Sequence, residues 1–227
     1  MRTVSGWRDI EKCAPFRQGM FHVQDISSQL CCLTLRPVMN ETVLDVCAAP
    51  GGKSFTLAEL MGNNGRLYSM DIHDMRVGLI EDGAARLGIK ILTAMQNDAS
   101  VFNAELPQAD RVLCDVPCSG LGVIRRKPEI KYKSPEEFAG LPEIQYRILE
   151  TSARYVKPGG TLVYSTCTLS RAENDDVAGK FAGQHPEFLP IVQPVPFAAA
   201  AGEPMRTYCP DENGGDGFFT ASFRRVK

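Results

Sequence analysis

Two of the eight cysteines stand where a thiol could do chemistry. Cys118 follows shortly after the apolar run 111–115, and Cys167 directly follows the run 161–166. Each run predicts a parallel strand, and a packing residue has little reason to lie just beyond a strand beside Pro, Ser or Thr. A thiolate is a strong nucleophile, so we interpret both as candidate catalytic residues. The following cysteines are interpreted as small buried hydrophobic residues: Cys13, Cys31, Cys32, Cys114 and Cys209.

A small-residue turn separates an apolar run from a helical pattern at residues 42–57. Residues 43–46 predict a buried strand, and residues 50–52 (Pro-Gly-Gly) predict a tight turn whose backbone N–H groups can face a ligand. From Lys53 onward the apolar spacing is helical, so the turn lies at a helix N-terminus, which attracts negative groups. The turn therefore predicts a nucleotide-like ligand, with a plain strand–helix connection as the alternative.

The spacing of the glycines distinguishes between the known kinds of nucleotide-binding loop. The glycine that would begin a P-loop is replaced by Cys47, and the dinucleotide fingerprint G-x-G-x-x-G is absent because Gly51 and Gly52 are adjacent. The next predicted strand ends on Asp71, and an acid at that place suits the two hydroxyls of a ribose. These features favour an adenosine-type ligand without a phosphate chain, of which S-adenosylmethionine is the common one.

Predicted strands and helices alternate along the chain. Further strands are expected at 65–71, 89–95, 111–115 and 161–166, and helices at 74–87 and 171–181. Residues 134–157 are expected to be largely helical, with the longer helical piece starting at Pro142. Asp25 is expected to cap a helix that runs through Leu35, residues 186–204 form a Pro/Ala-rich connector, and 217–223 predict a final antiparallel strand. The alternation predicts a doubly wound α/β sheet that binds ligands at the carboxyl ends of its strands, where Asp98 also falls.

Composition limits the kind of protein. The length of 227 residues fits one α/β domain with a short extension, and a net charge of −2 gives no global basic field for a nucleic acid. The densest basic segment, Arg125, Arg126 and Lys127, could supply local phosphate contacts or be a solvated loop. No C-x-x-C pair, signal peptide or membrane-length apolar run occurs, so we expect no metal, no membrane and a reducing cytoplasm.

Three motifs together resemble a known family. CAAPGGK at 47–53, DVPCSG at 115–120 and STCTL at 165–169, in this order, are similar to the RNA cytosine-5 methyltransferases, most closely the bacterial Sun/RsmB type that acts on 16S ribosomal RNA. The likeness covers nearly the whole chain. It implies a Rossmann-like, S-adenosylmethionine-dependent methyltransferase fold with a mostly parallel seven-stranded sheet and an antiparallel C-terminal strand. Residues 1–38 would form an arm beside the cofactor pocket, and 39–227 the methyltransferase domain.

The resemblance also implies roles for individual residues. Cytosine C5 is too weak a nucleophile to take a methyl group directly, so the reaction needs a nucleophile at C6 and a base. Cys167 would be the nucleophile, Cys118 would assist release, and Asp115 would bind the cytosine N3 edge. Lys53 counts as a cofactor residue by resemblance alone, since it could instead orient the nucleotide or cap the loop. The resemblance places Asp98 against the adenine amine, although a carboxylate in a loop could equally be a cap. The implied cofactor residues are Cys47, Ala48, Ala49, Pro50, Gly51, Gly52, Lys53, Asp71, Asp98 and Asp115.

The sequence thus predicts a monomeric enzyme of rRNA processing that methylates C5 of a cytosine in 16S rRNA through a covalent adduct. A tRNA substrate is one alternative, and a non-catalytic RNA-binding or ribosome assembly factor with this fold is another. A DNA-directed cytosine methyltransferase and a P-loop nucleotidase are more distant alternatives. Bacterial relatives place a helical RNA-binding domain before this region, which leaves open that the chain is a fragment.

Overall fold

A mixed sheet of eight strands lies at the centre of the computed structural model, which describes residues 9–192, 203–210 and 214–227. The strands are β1 Thr42–Asp45, β2 Arg66–Asp71, β3 Leu92–Gln96, β4 Ala109–Asp115, β5 Val156–Thr166, β6 Phe188–Pro190, β7 Met205–Tyr208 and β8 Phe218–Arg225. The helices are α1 Ala14–Arg17, α2 Ile26–Leu35, α3 Gly52–Leu60, α4 Asp74–Leu87, α5 Leu141–Ala153 and α6 Asp175–Gln184. Short 3₁₀ turns cover Ile10–Lys12, Leu121–Val123, Pro128–Tyr132 and Pro135–Phe138.

The sheet runs in the order β3-β2-β1-β4-β5-β8-β6, with β7 also paired to β8. Strands β1 to β5 pair in parallel, and β8 is antiparallel to β5. β6 and β7 pair with opposite halves of β8, so they share the seventh position of the sheet. The predicted parallel sheet with an antiparallel C-terminal strand is therefore confirmed. Residues 193–202 of the predicted connector lie outside the described residues, and its earlier part contains β6.

Helices cover both faces of the sheet because neighbouring strand residues alternate between two apolar layers. Leu44 and Val112 face one layer, which contains α5 and α6, whereas Val43 and Leu113 face the other, which contains α2 and α3. All four residues of β1 are buried. This two-sided burial is the arrangement expected for a parallel sheet, and it leaves the carboxyl ends of β1, β2, β4 and β5 at one edge.

Two predicted helix boundaries were wrong. The expected helical stretch 134–157 is a 3₁₀ turn followed by α5, which starts at Leu141, next to the predicted start at Pro142. α5 ends at Ala153, and residues 157–160 lie within β5 rather than ending the helix. There the Lys157 ammonium lies 2.9 Å from the Asp110 carboxylate on β4, so the segment is held in the sheet. α6 begins at Asp175 instead of residue 171, because residues 171–174 form a turn in which the side chains of Glu173 and Asn174 are buried.

The predicted cap of the N-terminal helix is confirmed. The Ser27 backbone N–H donates to Asp25 Oδ1 over 2.9 Å, and α2 ends at Leu35. Cys31 and Cys32 are fully buried on this helix, in the same apolar layer as β1. The domain boundary near residue 38 stays a prediction. In the ranges that the structure describes, no helix is long and apolar enough to cross a bilayer.

Candidate active site

The two candidate thiols meet at the carboxyl edge of the sheet. β4 and β5 pair with Asp115 opposite Ser165, so the loops that follow these strands lie side by side. Cys118 Sγ and Cys167 Sγ are 3.3 Å apart. With Cys118 as the donor, this hydrogen bond lowers the pKa of Cys167, and the Lys53 ammonium lowers it further. The same bond, together with burial, raises the pKa of Cys118. Within this pair the thiolate is therefore more stable at Cys167.

Gly122 lets the two loops approach closely. Its N–H donates to the Cys167 carbonyl over 3.0 Å, and its own carbonyl accepts from the Gly217 N–H over 2.9 Å. A Cβ at Gly122 would lie 2.1 Å from the Gly217 oxygen and 2.8 Å from the Cys167 oxygen. Only glycine fits at such a distance from two backbones, so this residue fixes how near the Cys118 loop lies to the Cys167 loop.

A charged pair lies at the same edge. Lys53 Nζ is 2.7 Å from Asp115 Oδ2, and Ser165 Oγ donates to Asp115 Oδ1 over 2.8 Å. The Lys53 ammonium also lies 5.2 Å from the centroid of the Phe218 ring. Burial lowers the pKa of Lys53, but the Asp115 carboxylate raises it more, so the net shift is upward. The lysine therefore stays charged and holds the carboxylate in one orientation.

The loop at residues 47–53 has the open backbone that an adenosine-type cofactor needs. Gly51 has a φ of +107°, and a Cβ there would lie 2.4 Å from the Phe55 ring. Gly52 is open, since the nearest atom to a Cβ there is Gln24 Nε2 at 3.9 Å. This amide nitrogen is buried and has no hydrogen-bond partner among the described residues, whereas the Gln24 amide oxygen accepts from Thr56 Oγ1 over 2.6 Å. A buried unpaired donor beside an open helix N-terminus fits a polar ligand at this loop.

Two carboxylates lie at neighbouring strand ends. The Asp71 side chain is only 4% exposed; its Oδ1 accepts from the His73 N–H over 3.0 Å, and its Oδ2 lies 3.1 Å from Arg76 Nη1. Arg76 also donates to the Ala49 carbonyl over 2.9 Å, which ties Asp71 to the loop. Asp98 is exposed and caps a turn by accepting from the N–H and hydroxyl of Ser100 at 2.9 and 2.7 Å. Their roles toward ribose and adenine stay predictions.

The basic segment does not act as one unit. Arg126 Nε donates to Asp216 Oδ2 over 2.6 Å, and this aspartate side chain is only 3% exposed. Arg125 is 63% exposed and lies 3.7 Å from Asp216 Oδ1. Arg126 therefore binds the buried Asp216 directly, although 53% of its own side chain is exposed. Arg125 lies farther from the same acid, and Lys127 is exposed. Their contact with phosphate stays a prediction.

Two buried carboxylates of this region were not expected from the sequence. Asp45, at the end of β1, accepts from Ser54 Oγ over 2.7 Å, and burial raises its pKa to about 7. Glu173 lies between the two cysteine loops and is 2% exposed. The available signal was an acid inside an apolar run at position 45 and an adjacent polar pair at 173–174, but neither pattern shows burial. In the described part of the chain, no cluster of three or more His, Cys, Asp or Glu could hold a metal.

The chain is similar in sequence to proteins of one known family. The family model described as 16S rRNA methyltransferase RsmB/F matches residues 32–224. The chain is 47% identical over 221 residues to a probable ribosomal RNA small subunit methyltransferase B of Bacillus subtilis, covering 92% of this chain and 49% of that protein. It is 39% identical over 215 residues to ribosomal RNA small subunit methyltransferase B of Sodalis glossinidius, covering 91% and 47%. The chain thus spans about half the length of the curated relatives it matches.

Solved structures share the fold. The crystal structure of NSun6 from Pyrococcus horikoshii with SFG, an S-adenosylmethionine analogue, superposes with a TM-score of 0.87 at 29% identity, covering 97% of this chain and 57% of that one. A methyltransferase homologue from the same organism superposes with a TM-score of 0.79 at 30% identity, covering 96% and 72%. The architecture is therefore that of a Rossmann-like S-adenosylmethionine-dependent methyltransferase.

Proposed function

Because the chain belongs to the 16S rRNA methyltransferase RsmB/F family, whose cofactor is S-adenosylmethionine, we propose that it methylates C5 of a cytosine in RNA. The observation that carries the proposal is the pair of thiols 3.3 Å apart beside the Lys53–Asp115 ion pair. The names of the curated relatives support 16S rRNA as the substrate, with tRNA as the alternative. The chain would act as a monomer in a reducing cytoplasm, where adjacent thiols stay unoxidised.

The two thiols divide the steps of the reaction. Cys167, whose pKa is lowered, attacks C6 of the cytosine and makes C5 nucleophilic. Cys118 holds its proton at first, because its hydrogen bond to Cys167 raises its pKa. Once Cys167 has become a thioether, that cause is gone, so the pKa of Cys118 falls toward its ordinary value. After C5 has accepted the methyl group, Cys118 can help remove the C5 proton, and the bond between Cys167 and C6 then breaks, returning its electron pair to the Cys167 thiolate.

Asp115 and Lys53 orient and stabilise the ring. The Asp115 carboxylate accepts from the exocyclic amine of cytosine, and its orientation is set by Lys53 at 2.7 Å and Ser165 at 2.8 Å. Negative charge develops on the ring as Cys167 attacks. The buried Lys53 ammonium, fixed before the reaction begins, stabilises that charge at low cost of reorganisation. This assigns Lys53 to the nucleotide as well as to the cofactor loop.

The cofactor would be held by the loop at residues 47–53 together with Asp71 and Asp98. When bound, it supplies the electrophilic methyl group. Asp71 accepts from the ribose hydroxyls, and Arg76, which bridges Asp71 and the Ala49 carbonyl, keeps this acid oriented. The open backbone at Gly52 leaves room for the polar end of the cofactor.

The proposal is tested with labelled S-adenosylmethionine and 16S rRNA segments, comparing Cys167→Ala, Cys118→Ala and the control Cys13→Ala. Cys167→Ala should bind the cofactor yet give neither product nor a covalent complex. Cys118→Ala should attack and methylate but release poorly, so an RNA-linked protein band should persist through denaturing electrophoresis. The double variant should lose that band.

Two outcomes would contradict the proposal. Accumulation of the adduct by Cys167→Ala, but not by Cys118→Ala, would reverse the roles of the two thiols. A wild-type chain that binds RNA and cofactor but transfers no methyl group to rRNA or tRNA would favour the non-catalytic assembly factor. The Cys13→Ala control should behave as wild type, because this residue lies outside the site.

A further inference from the structure

A buried carboxylate joins three elements beneath the thiols. Glu173 Oε2 accepts from the Ser119 backbone N–H and from Gln145 Nε2, each over 2.9 Å, and Glu173 Oε1 accepts from Ser119 Oγ over 2.6 Å. Thr168 Oγ1 shares a hydrogen bond of 2.8 Å with Ser119 Oγ. We call Glu173, Gln145, Ser119 and Thr168 the Glu173 clamp. Its members come from the Cys118 loop, the Cys167 loop, α5 and the turn before α6.

The clamp holds residues adjacent to both thiols. Ser119 directly follows Cys118, and Gln145 Nε2 also donates to the Pro117 carbonyl on the other side of that cysteine over 2.9 Å. Thr168 directly follows Cys167. The next residue of the turn, Asn174, accepts from Thr166 Oγ1 over 2.6 Å and donates to the Thr168 carbonyl over 3.0 Å, so Cys167 too is held from both sides. One turn therefore fixes both loops.

Burial strengthens these hydrogen bonds. Glu173 is 2% exposed and Asn174 1% exposed, so no water competes for their bonds. Without the carboxylate, the Ser119 N–H and the Gln145 amide would lose their buried acceptor, and the Cys118 loop would have to move to satisfy them. Such a movement changes the distance between the thiols, since Cys118 lies between the two anchored residues.

We propose that Glu173 is a positioning residue that sets the distance between Cys118 and Cys167 through the Glu173 clamp. Its action is geometric, because the acceptor positions of its two oxygens decide where the loops lie. The positional claim stands on the contacts alone, and only its effect on methyl transfer rests on the proposed function.

The variants Glu173→Ala, Glu173→Asp and Glu173→Gln separate geometry from charge. Alanine removes both acceptors, and aspartate keeps the charge but shortens the reach by one methylene. Glutamine keeps an oxygen for the two N–H donors, and its amide can donate to the hydroxyls of Ser119 and Thr168, which can accept. Asp175→Ala, an exposed acid two positions later, is the matched control. Circular dichroism and thermal unfolding establish which variants are folded.

The first measurement is independent of methyl transfer. Diamide oxidises two neighbouring thiols to a disulfide, taking up their two hydrogens to become a hydrazine, and peptide mass spectrometry quantifies the bond between Cys118 and Cys167. The rate should fall at least about tenfold in Glu173→Ala and Glu173→Asp, since misplacement by ~1 Å strongly slows reactions of held groups. Glu173→Gln and Asp175→Ala should stay close to wild type. If Glu173→Ala does not fold, Glu173→Asp carries the test.

The second measurement is turnover on RNA. Folded Glu173→Asp should lose roughly 10²-fold in kcat with little change in the KM for RNA or the affinity for cofactor. A disulfide rate in Glu173→Asp equal to that of wild type would overturn the proposal, and so would a Glu173→Gln rate as slow as that of Glu173→Asp, which would mean that charge acts rather than geometry. If wild type shows no methyl transfer, the proposed function fails, yet the disulfide rates still decide the role of Glu173.

Discussion

Asp45 is expected to make the free energy of unfolding depend on pH, and Asp45→Asn should remove that dependence. The carboxyl group is fully buried at the end of β1, and burial raises its pKa from 3.8 to about 7. Ser54 Oγ donates to it over 2.7 Å and itself accepts from Ser69 Oγ over 2.8 Å. Asparagine has nearly the same shape, keeps an oxygen that accepts from Ser54, and carries no charge.

The sign and size follow from linkage. The pKa of Asp45 is higher in the folded chain than in the unfolded chain, so between the two values the folded state binds more protons and its stability falls as the pH rises. Each pKa unit corresponds to about 1.36 kcal/mol. From pH 3.8 to pH 7 the free energy of unfolding of the wild-type chain should therefore fall by about 4 kcal/mol because of this group. Asp45→Asn has no such loss.

The measurement is urea unfolding of wild type and Asp45→Asn at pH 5 and pH 8. Other groups titrate in both proteins, so the difference between them isolates Asp45. The free energy of unfolding of Asp45→Asn, relative to that of wild type, should rise by about 3 kcal/mol from pH 5 to pH 8. Asp175→Asn, at an exposed carboxylate, controls for the change in net charge. A difference that stays constant from pH 5 to pH 8 would refute the argument from burial.

Three other changes test the cofactor and RNA assignments. Asp71→Ala should weaken binding of S-adenosylmethionine by more than tenfold in calorimetry, because each lost hydrogen bond to a charged acceptor is worth about 1.5–3 kcal/mol; unchanged affinity in a folded variant would remove this assignment. Replacing Arg125 and Lys127 by Ala should make RNA binding less dependent on salt: the slope of log K against log salt concentration should fall by about one per lost phosphate contact. An unaltered slope would mean that the loop is solvated surface without phosphate contacts. Arg126→Ala should instead lower the free energy of unfolding by about 1–3 kcal/mol, since Asp216 is buried; a wild-type melting temperature would argue against this.

The sheet could be predicted because short apolar runs that end on polar residues alternate with helical patterns along the chain. Since β4 and β5 are parallel, their carboxyl ends lie at one edge of the sheet, and topology alone places Cys118 and Cys167 there. β6 could not be found this way, because three residues carry no period and its place depends on pairing with β8, far along the chain. Contacts between distant residues decide such cases.

The residues beneath the site were missed for a related reason. Glu173 lies in a polar segment whose composition is that of solvent-exposed chain. Only the fold brings Ser119 and Gln145 to its carboxylate oxygens. Likewise, the sequence of a basic segment does not show whether its side chains face solvent or bind a buried acid. Arg126 hydrogen-bonds Asp216, 90 positions away, over 2.6 Å, and Arg125 lies 3.7 Å from the same buried acid. Burial of a polar residue is a property of the folded chain, and local sequence patterns do not record it.

The contact between α2 and the segment before β8 has a consequence for biosynthesis. Asp25 Oδ1 accepts from the Asp216 N–H and Ser27 Oγ donates to the Asp216 carbonyl, across 191 and 189 positions of the chain. At a translation rate of about 5–20 residues per second, α2 leaves the ribosome roughly 10–40 s before these partners exist. Phe218, whose ring packs near the Lys53 ammonium, emerges equally late. The thiol edge is therefore completed only after β8 has been synthesised.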